Sequence, residues 1–173
     1  MIVKPSDVLQ HARFMSTHLD DAKVTPFIEE SELSEVRAAL GDELYLNLDE
    51  YVTNNRTPVN EAYNNILDGC TYENRSQKHL VIGLVKAISY LTYARLVKSG
   101  DIFVTRSGNK LKLDANSETP DLKERIVAYQ DTFKVANDYL ATIVGYVQFA
   151  ITGKCGSSAK LYPKSVTITA IGD

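Results

Sequence analysis

Cysteine is scarce in this sequence. The two that occur, Cys70 and Cys155, have no Cys-x-x-Cys partner and no histidine at ligand spacing, so neither a disulfide framework nor a zinc site is expected. Histidine is equally sparse. His11 and His18 would share a face of one continuous helix, but Ser16-Thr17-His18-Leu19-Asp20 reads as a helix break, and His79 stands alone. An apolar signal core is missing from Met1-Ile2-Val3-Lys4-Pro5-Ser6-Asp7, so residence in a reducing cytoplasm is expected. The sequons Asn55-Arg56-Thr57 and Asn74-Arg75-Ser76 are then chance matches. Long hydrophobic runs are missing too. The one candidate, from Leu80 to Val97, is interrupted by Lys86 and Arg95, and charges near a bilayer centre cost several kcal/mol, so no membrane association is expected.

Excess positive charge is also lacking. With 19 Lys and Arg against 22 Asp and Glu, the formal charge is -3 and the pI about 5.6, which gives no global basic footprint and argues against a nucleic-acid binder that works by neutralising phosphates. The charge is uneven. Asp20 to Glu50 holds ten acids against Lys23 and Arg37, while residues 152–173 hold Lys154, Lys160 and Lys164 against Asp173. An acidic body and a basic tail of this kind can pair between subunits, or each can simply be solvated.

What the sequence does contain is helix. At 173 residues the chain is one domain, able to bury roughly two-thirds of its unfolded surface. Thr25-Pro26 predicts a helix from Pro26 to Leu40, stopped by Gly41, with Glu29 and Glu30 in its first turn. Asp42 opens a second through Leu44, Leu48 and Tyr51, and a third runs from Val59 to Leu67, ending at Asp68-Gly69. Leu80 to Val97, with Ser76 as cap, is apolar nearly all round and is expected to be the central element. After Ser99-Gly100-Asp101 a short hairpin is predicted: Ile102 to Thr105, a turn Arg106-Ser107-Gly108-Asn109, and Lys110 to Leu113. Thr119-Pro120-Asp121 then opens a long helix with a seam of Leu122, Ile126, Tyr129, Phe133, Ala136, Leu140, Ile143 and Val147, which is expected to cover the central helix. The fold class is therefore mainly α: a helical bundle around a central apolar helix, with a β-hairpin excursion and an extended C-terminal arm.

The helical domain is assigned to residues 1–151 and the arm to residues 152–173. Within the arm, Val166, Ile168 and Ala170 share one face of a potential strand, and Tyr162-Pro163 makes an extended link. Such a strand either adds to a neighbour's sheet edge or remains an unstructured end.

One charge falls among apolar neighbours. Arg95 projects into the sector of Leu84, Ile88 and Leu91, where an unpaired charge is costly. Its aliphatic stem is expected to carry the guanidinium outward, since it lies near a helix end. If it is paired instead, Glu29, Glu32 and Glu35 are the partners within reach.

No catalytic set assembles. Asp20 and Asp21 are adjacent, so their side chains diverge and helix capping is their expected role. Gly153-Lys154-Cys155 lacks the earlier glycine, the terminal Ser or Thr and the following helix of a phosphate loop. The ten tyrosines are scattered rather than interleaved with basic residues. No enzyme activity, cofactor or metal is expected; a hydrolytic enzyme would need a nucleophile, base and oxyanion donor that the motifs do not supply.

Four phrases occur in an order that resembles the head-to-tail connector proteins of tailed phages, especially the ring or adaptor proteins of Bacteroides and crAss-like phages. They are Ala39-Leu40-Gly41-Asp42-Glu43-Leu44-Tyr45, Asn65-Ile66-Leu67-Asp68-Gly69-Cys70-Thr71-Tyr72, Gly83 to Arg95, and Gly100-Asp101-Ile102-Phe103-Val104-Thr105-Arg106-Ser107-Gly108, and the resemblance spans roughly residues 5 to 150. It implies a helical bundle that assembles, usually as a dodecamer, into a neck ring stacked on the portal protein. That ring contacts the neighbouring neck or tail ring and continues the DNA channel without binding DNA specifically. The expected localisation is the virion neck, after assembly in the bacterial cytoplasm. The arm lies outside the resemblance; from the residue patterns themselves the expected partner-contacting residues are Ile102, Val104 and Leu111 of the hairpin and Tyr162, Val166, Ile168 and Ala170 of the arm, with Arg95 in a structural ion pair. The alternatives are a neck stopper or tail-proximal protein, and a non-virion helical adaptor for one host or phage protein.

Overall fold

The computed structural model describes residues 1–13, 15, 20–74, 76–99 and 122–150, together with the backbone of 102–105 and 108–111. The expected turn at Arg106-Ser107, the Thr119-Pro120-Asp121 helix start, the His18 break and the whole arm lie outside these residues. So do the arm positions Tyr162, Val166, Ile168 and Ala170.

The chain is a mainly α bundle built on one buried helix. After α1 (Pro5–His11), α2 (Asp21–Ser31) passes through a π-helical turn (Glu32–Val36) into α3 (Arg37–Leu40). α4 (Asp42–Thr53) and α5 (Glu61–Asp68) follow, then a hairpin of β1 (Cys70–Asn74) and β2 (Gln77–Val81), α6 (Leu84–Ser99), a second hairpin of β3 (Ile102–Thr105) and β4 (Gly108–Leu111), and α7 (Leu122–Ala150).

α6 is the central element. Leu84, Ala87, Ile88, Leu91 and Ala94 are fully buried, every other residue of the helix is at least half-buried except Lys98, and α1, α2, α5 and α7 all pack on it. α7 runs antiparallel to it: Ile82 N–H donates to Thr142 Oγ1 at 3.3 Å, Tyr90 meets Tyr139 edge-on at 5.3 Å, and the Lys98 ammonium lies 4.7 Å from the Tyr129 ring centre. Hence the C-terminal end of α6, from which the β3–β4 hairpin departs, lies beside the N-terminal third of α7.

The first part of the expected central helix is instead a strand. Residues 70–74 and 77–81 form an antiparallel hairpin with Tyr72 opposite His79 and Asn74 opposite Gln77, and Ser76 is a turn residue at φ 63° rather than a helix cap. The burial alternates with period two, so Leu80, expected in the core, is 60% exposed while its neighbour Val81 is buried. A five-residue stretch with only Leu80 and Val81 apolar is too short to fix a period, and the tertiary partner decides. Here the partner is aromatic: Tyr72 stacks on His79 at 5.0 Å and packs against Tyr146 and Phe149 of α7 at 5.4 and 4.8 Å.

Other boundaries moved for local reasons. α2 starts five residues before Pro26 because the Asp20 carboxylate accepts the Ala22 N–H at 3.0 Å, which fulfils the capping role expected of Asp20-Asp21. Pro26 consequently sits inside the helix. α5 starts at Glu61 rather than Val59, capped by Asn60 Oδ1 on the Tyr63 N–H at 3.2 Å. β4 occupies Gly108–Leu111 rather than 110–113, since Thr105 pairs with Gly108.

The α7 seam is as expected only in its C-terminal half, where Ala136, Leu140 and Ile143 are buried. Toward its start the buried stripe passes through Arg125 and Thr132, leaving Leu122 67% and Ile126 38% exposed. Covering α6 requires only the part of α7 that lies along it.

Candidate assembly surfaces

Two polar networks hold the acidic half of the molecule in place. The first is centred on Glu32, 1% exposed within the π turn. Its Oε1 accepts the backbone N–H groups of Ile2 and Val3 at 2.8 and 3.0 Å, and its Oε2 accepts the Tyr45 hydroxyl at 3.2 Å. The N-terminal segment is thereby laid across α2 and α4, with Val3 fully buried, and the Met1 ammonium pairs with Asp49. Burial pushes the Glu32 carboxyl above its usual range, and the hydrogen bonds from Val3, Ile2 and Tyr45 and the nearby ammonium pull against that shift. Burial and the facing Glu32 charge push the Tyr45 phenol up to about 12.

The π turn places Glu32 there. Ser31 Oγ donates to the Phe27 carbonyl at 2.7 Å and Ser34 Oγ to the Glu30 carbonyl, so side-chain hydroxyls compete for helical acceptors just where the helix widens. The widened turn brings Ser31, Glu32 and Val36 to the buried side together.

The second network holds Arg95 in an ion pair, so of the two expectations for it only the outward path of its stem is corrected. Its side chain is only 12% exposed and does not run outward: Nη2 donates to Glu35 Oε1 at 2.8 Å and to Ser34 Oγ at 3.0 Å, and Nε lies 3.4 Å from Glu30 Oε2. Glu35 is one of the three carboxylates named from sequence. Glu32 is committed to the N-terminal segment and Glu29 faces solvent. The physical reason is position, since the π turn presents Glu35 directly to the guanidinium.

Outside these networks the surface carries two helix faces of different character. On α4, Glu43, Leu46, Asn47 and Glu50 recur at helical spacing on the side opposite Tyr45, Leu48 and Tyr51, with Leu46 61% exposed between the two acids. On α7, Lys123, Val127, Gln130 and Lys134 form the outward row, with Val127 64% exposed and Ile126 at its margin. Asp131 at the edge of that row is tied to Arg13 at 2.6 Å. Neither Leu46 nor Val127 was singled out from the sequence; the only signal for them is that each lies off its helix's inward seam.

Of the sequence-predicted contact residues, Ile102 lies opposite Leu111 and Val104 opposite Asn109 in the β3–β4 register. The structure therefore brings Ile102 and Leu111 together at the base of the hairpin and places Val104 nearer its turn. The exposed acids Asp20, Asp21, Glu29, Glu30, Asp42, Glu43 and Glu50 make the α2–α4 side of the molecule acidic. Among the described residues no group of His, Cys, Asp and Glu could hold a metal ion, and no helix is long and apolar enough to cross a membrane.

A family model described as "Family of unknown function (DUF6712)" matches residues 36–149. No curated protein matches the chain, and no solved structure does.

Proposed function

The chain belongs to the DUF6712 family, and we propose that it is a virion structural protein that forms a ring in the neck of a tailed phage, joining portal to tail and continuing the DNA channel. One observation carries the reading. It is the connector-like order of the phrases between Ala39 and Gly108, carried by a mainly helical bundle with the β3–β4 hairpin as an excursion from one end. Leu46 on α4 and Ile126 and Val127 on α7 are exposed apolar side chains available to a neighbouring subunit.

Closed cyclic symmetry would cover these anchors without leaving open ends. The purified chain mixed with its phage's portal protein should form closed rings in negative-stain images and by mass photometry. A chain that stays monomeric and ignores the portal removes the connector reading.

The acidic α2–α4 side suits a surface past which DNA slides, because like charges repel and no condensed counterions are released. The chain should accordingly show negligible shift of duplex DNA at physiological salt. Tight, salt-dependent binding would contradict a passive channel.

A further inference from the structure

We propose that the outer edge of β1 is a docking site for a strand, and that its occupant is residues 165–170 of the same chain, added to the β1–β2 sheet as a third strand. The inference goes beyond the ring reading and holds whether or not the chain assembles on a portal.

Among the described residues the sheet holds β1 and β2 alone, so each strand has an outer edge. α7 packs along β2, whereas no described helix or strand other than β2 packs along β1. In an antiparallel ladder alternate N–H and C=O groups point away from the partner, so β1 offers a row of them that no described strand takes up. That edge has two unlike sides. Cys70, Tyr72 and Asn74 are half-buried, with Tyr72 against Tyr146 and Phe149, while Thr71 and Glu73 are exposed. Residues 165–170 carry a matching alternation, Val166, Ile168 and Ala170 against Ser165, Thr167 and Thr169. Laid beside β1, the first set extends the aromatic layer at Tyr72, and the second lies in solvent next to Thr71 and Glu73, where hydroxyl side chains pair favourably across strands. A shift of one residue would turn the apolar set outward, so the pattern fixes which face lies inside.

Chain length names the occupant. α7 ends at Ala150, one residue past Phe149, whose ring lies 4.8 Å from that of Tyr72, so the route to residue 165 starts beside β1. Residues 151–164, with Gly153 and Gly156-Ser157-Ser158, reach about 20 Å as a flexible link. β1, five residues long, spans about 17 Å. The link therefore lets the segment turn back along the strand next to which it begins. Tethering also holds the segment near its own edge at an effective concentration on the order of 1 mM, far above that of another copy in dilute solution. Seated there, it closes an edge that would otherwise pair with other chains.

Disulfide trapping in the full chain tests this, in a background where Cys70 and Cys155 are serine and thermal melts verify folding. Thr71→Cys is combined in turn with Ser165→Cys, Thr167→Cys and Thr169→Cys, which sample the registers of the strand along β1, and with Val166→Cys and Ile168→Cys as controls on the opposite face. On oxidation at least one of the first three should close a bond within the monomer, at a rate independent of protein concentration, while both controls stay reduced. Dimers in place of internal bonds would make a second copy's arm the occupant, and equal trapping at all positions, or at none, would leave the segment undocked; each result overturns the proposal. Amide hydrogen exchange adds a measurement that needs no engineered cysteine. Amides of residues 165–170 and of alternate β1 residues should be protected in the parent chain. Thr167→Pro with Ile168→Pro, which removes the strand donors on both sides, should speed exchange in both sets about ten-fold while leaving α6 unchanged. Unprotected amides at 165–170 in the parent, or a β1 that the prolines do not affect, count equally against it. The ring reading is tested apart from this one. Internal trapping in a chain that ignores portal keeps the strand and rejects the neck role, while rings on portal without internal trapping do the opposite.

Discussion

Replacing Gly83 by alanine should lower the thermal midpoint on the order of 10 °C. Gly83 sits at φ +97°, where its carbonyl accepts the first hydrogen bond of α6 from Ala87. A Cβ there would come within 2.7 Å of the Asp68 carbonyl carbon and 2.9 Å of the Gly69 nitrogen, all backbone atoms that cannot swing aside. Gly69, at φ +94°, meets the same crossing from the other side, where an added Cβ would come within 2.6 Å of the Val81 carbonyl oxygen. The end of α5 and the start of α6 thus pass at backbone contact, clamping the base of the β1–β2 hairpin, and Arg56 pairs in bidentate fashion with Asp68 just outside. A side chain in this region of φ costs about 1–3 kcal/mol, and the clash adds to it, so each substitution should cost about 3–5 kcal/mol. Gly41 is the control. It has φ +85° but nothing within 4 Å of a built Cβ, so Gly41→Ala should cost the backbone strain alone. Equal losses at positions 41, 69 and 83 in a denaturation series would show that the close crossing contributes nothing.

Glu32→Leu should rank next, destabilising by about 2–4 kcal/mol, while Glu32→Gln stays within about 1 kcal/mol of the parent at neutral pH. Leucine fills the volume but leaves the Ile2 and Val3 N–H groups without their acceptor, and if the segment lifts to reach water, the burial of Val3 is lost with it. Glutamine keeps the acceptor oxygen and can donate to the Tyr45 oxygen. Amide hydrogen exchange at Ile2 and Val3 separates the cases: fast in the leucine variant, protected in the glutamine one. Fast exchange in both would mean that the charge itself, not the acceptor, holds the segment.

The same carboxyl sets a pH dependence. Its folded-state pKa lies above the ordinary value of 4.5, so as pH falls from neutral the folded chain takes up the proton before the unfolded chain does. The penalty of the buried charge is full above the raised pKa and is relieved between it and 4.5. Stability relative to Glu32→Gln should therefore rise as pH drops through that window. A difference that stays flat or falls would mean that the hydrogen bonds to the ionised form outweigh burial.

Much of the bundle was legible in residues that carry their own instruction. Gly41 and Gly69 end helices because no side chain suits their φ, and the three-and-four spacing of Leu44, Leu48 and Tyr51 describes one face of α4 whatever lies beneath it. The all-round apolar character of Leu84 to Val97 could be satisfied only in the middle of the molecule, which is where α6 lies. These features are local, or depend on burial alone, and burial follows from residue type.

Only the tertiary structure could decide the rest. Gln77 to Val81 is a strand because Tyr72 on its partner strand finds Tyr146 and Phe149 some 70 residues away. Arg95 turns inward because a π turn happens to present Glu35, and Glu32 is tolerated in the core because the backbone of Ile2 and Val3 arrives to donate to it. A period or a cap is written in neighbouring residues. The compensation of a buried charge, and the choice between two periods that fit a short run equally well, depend on partners that folding alone brings within 3 Å.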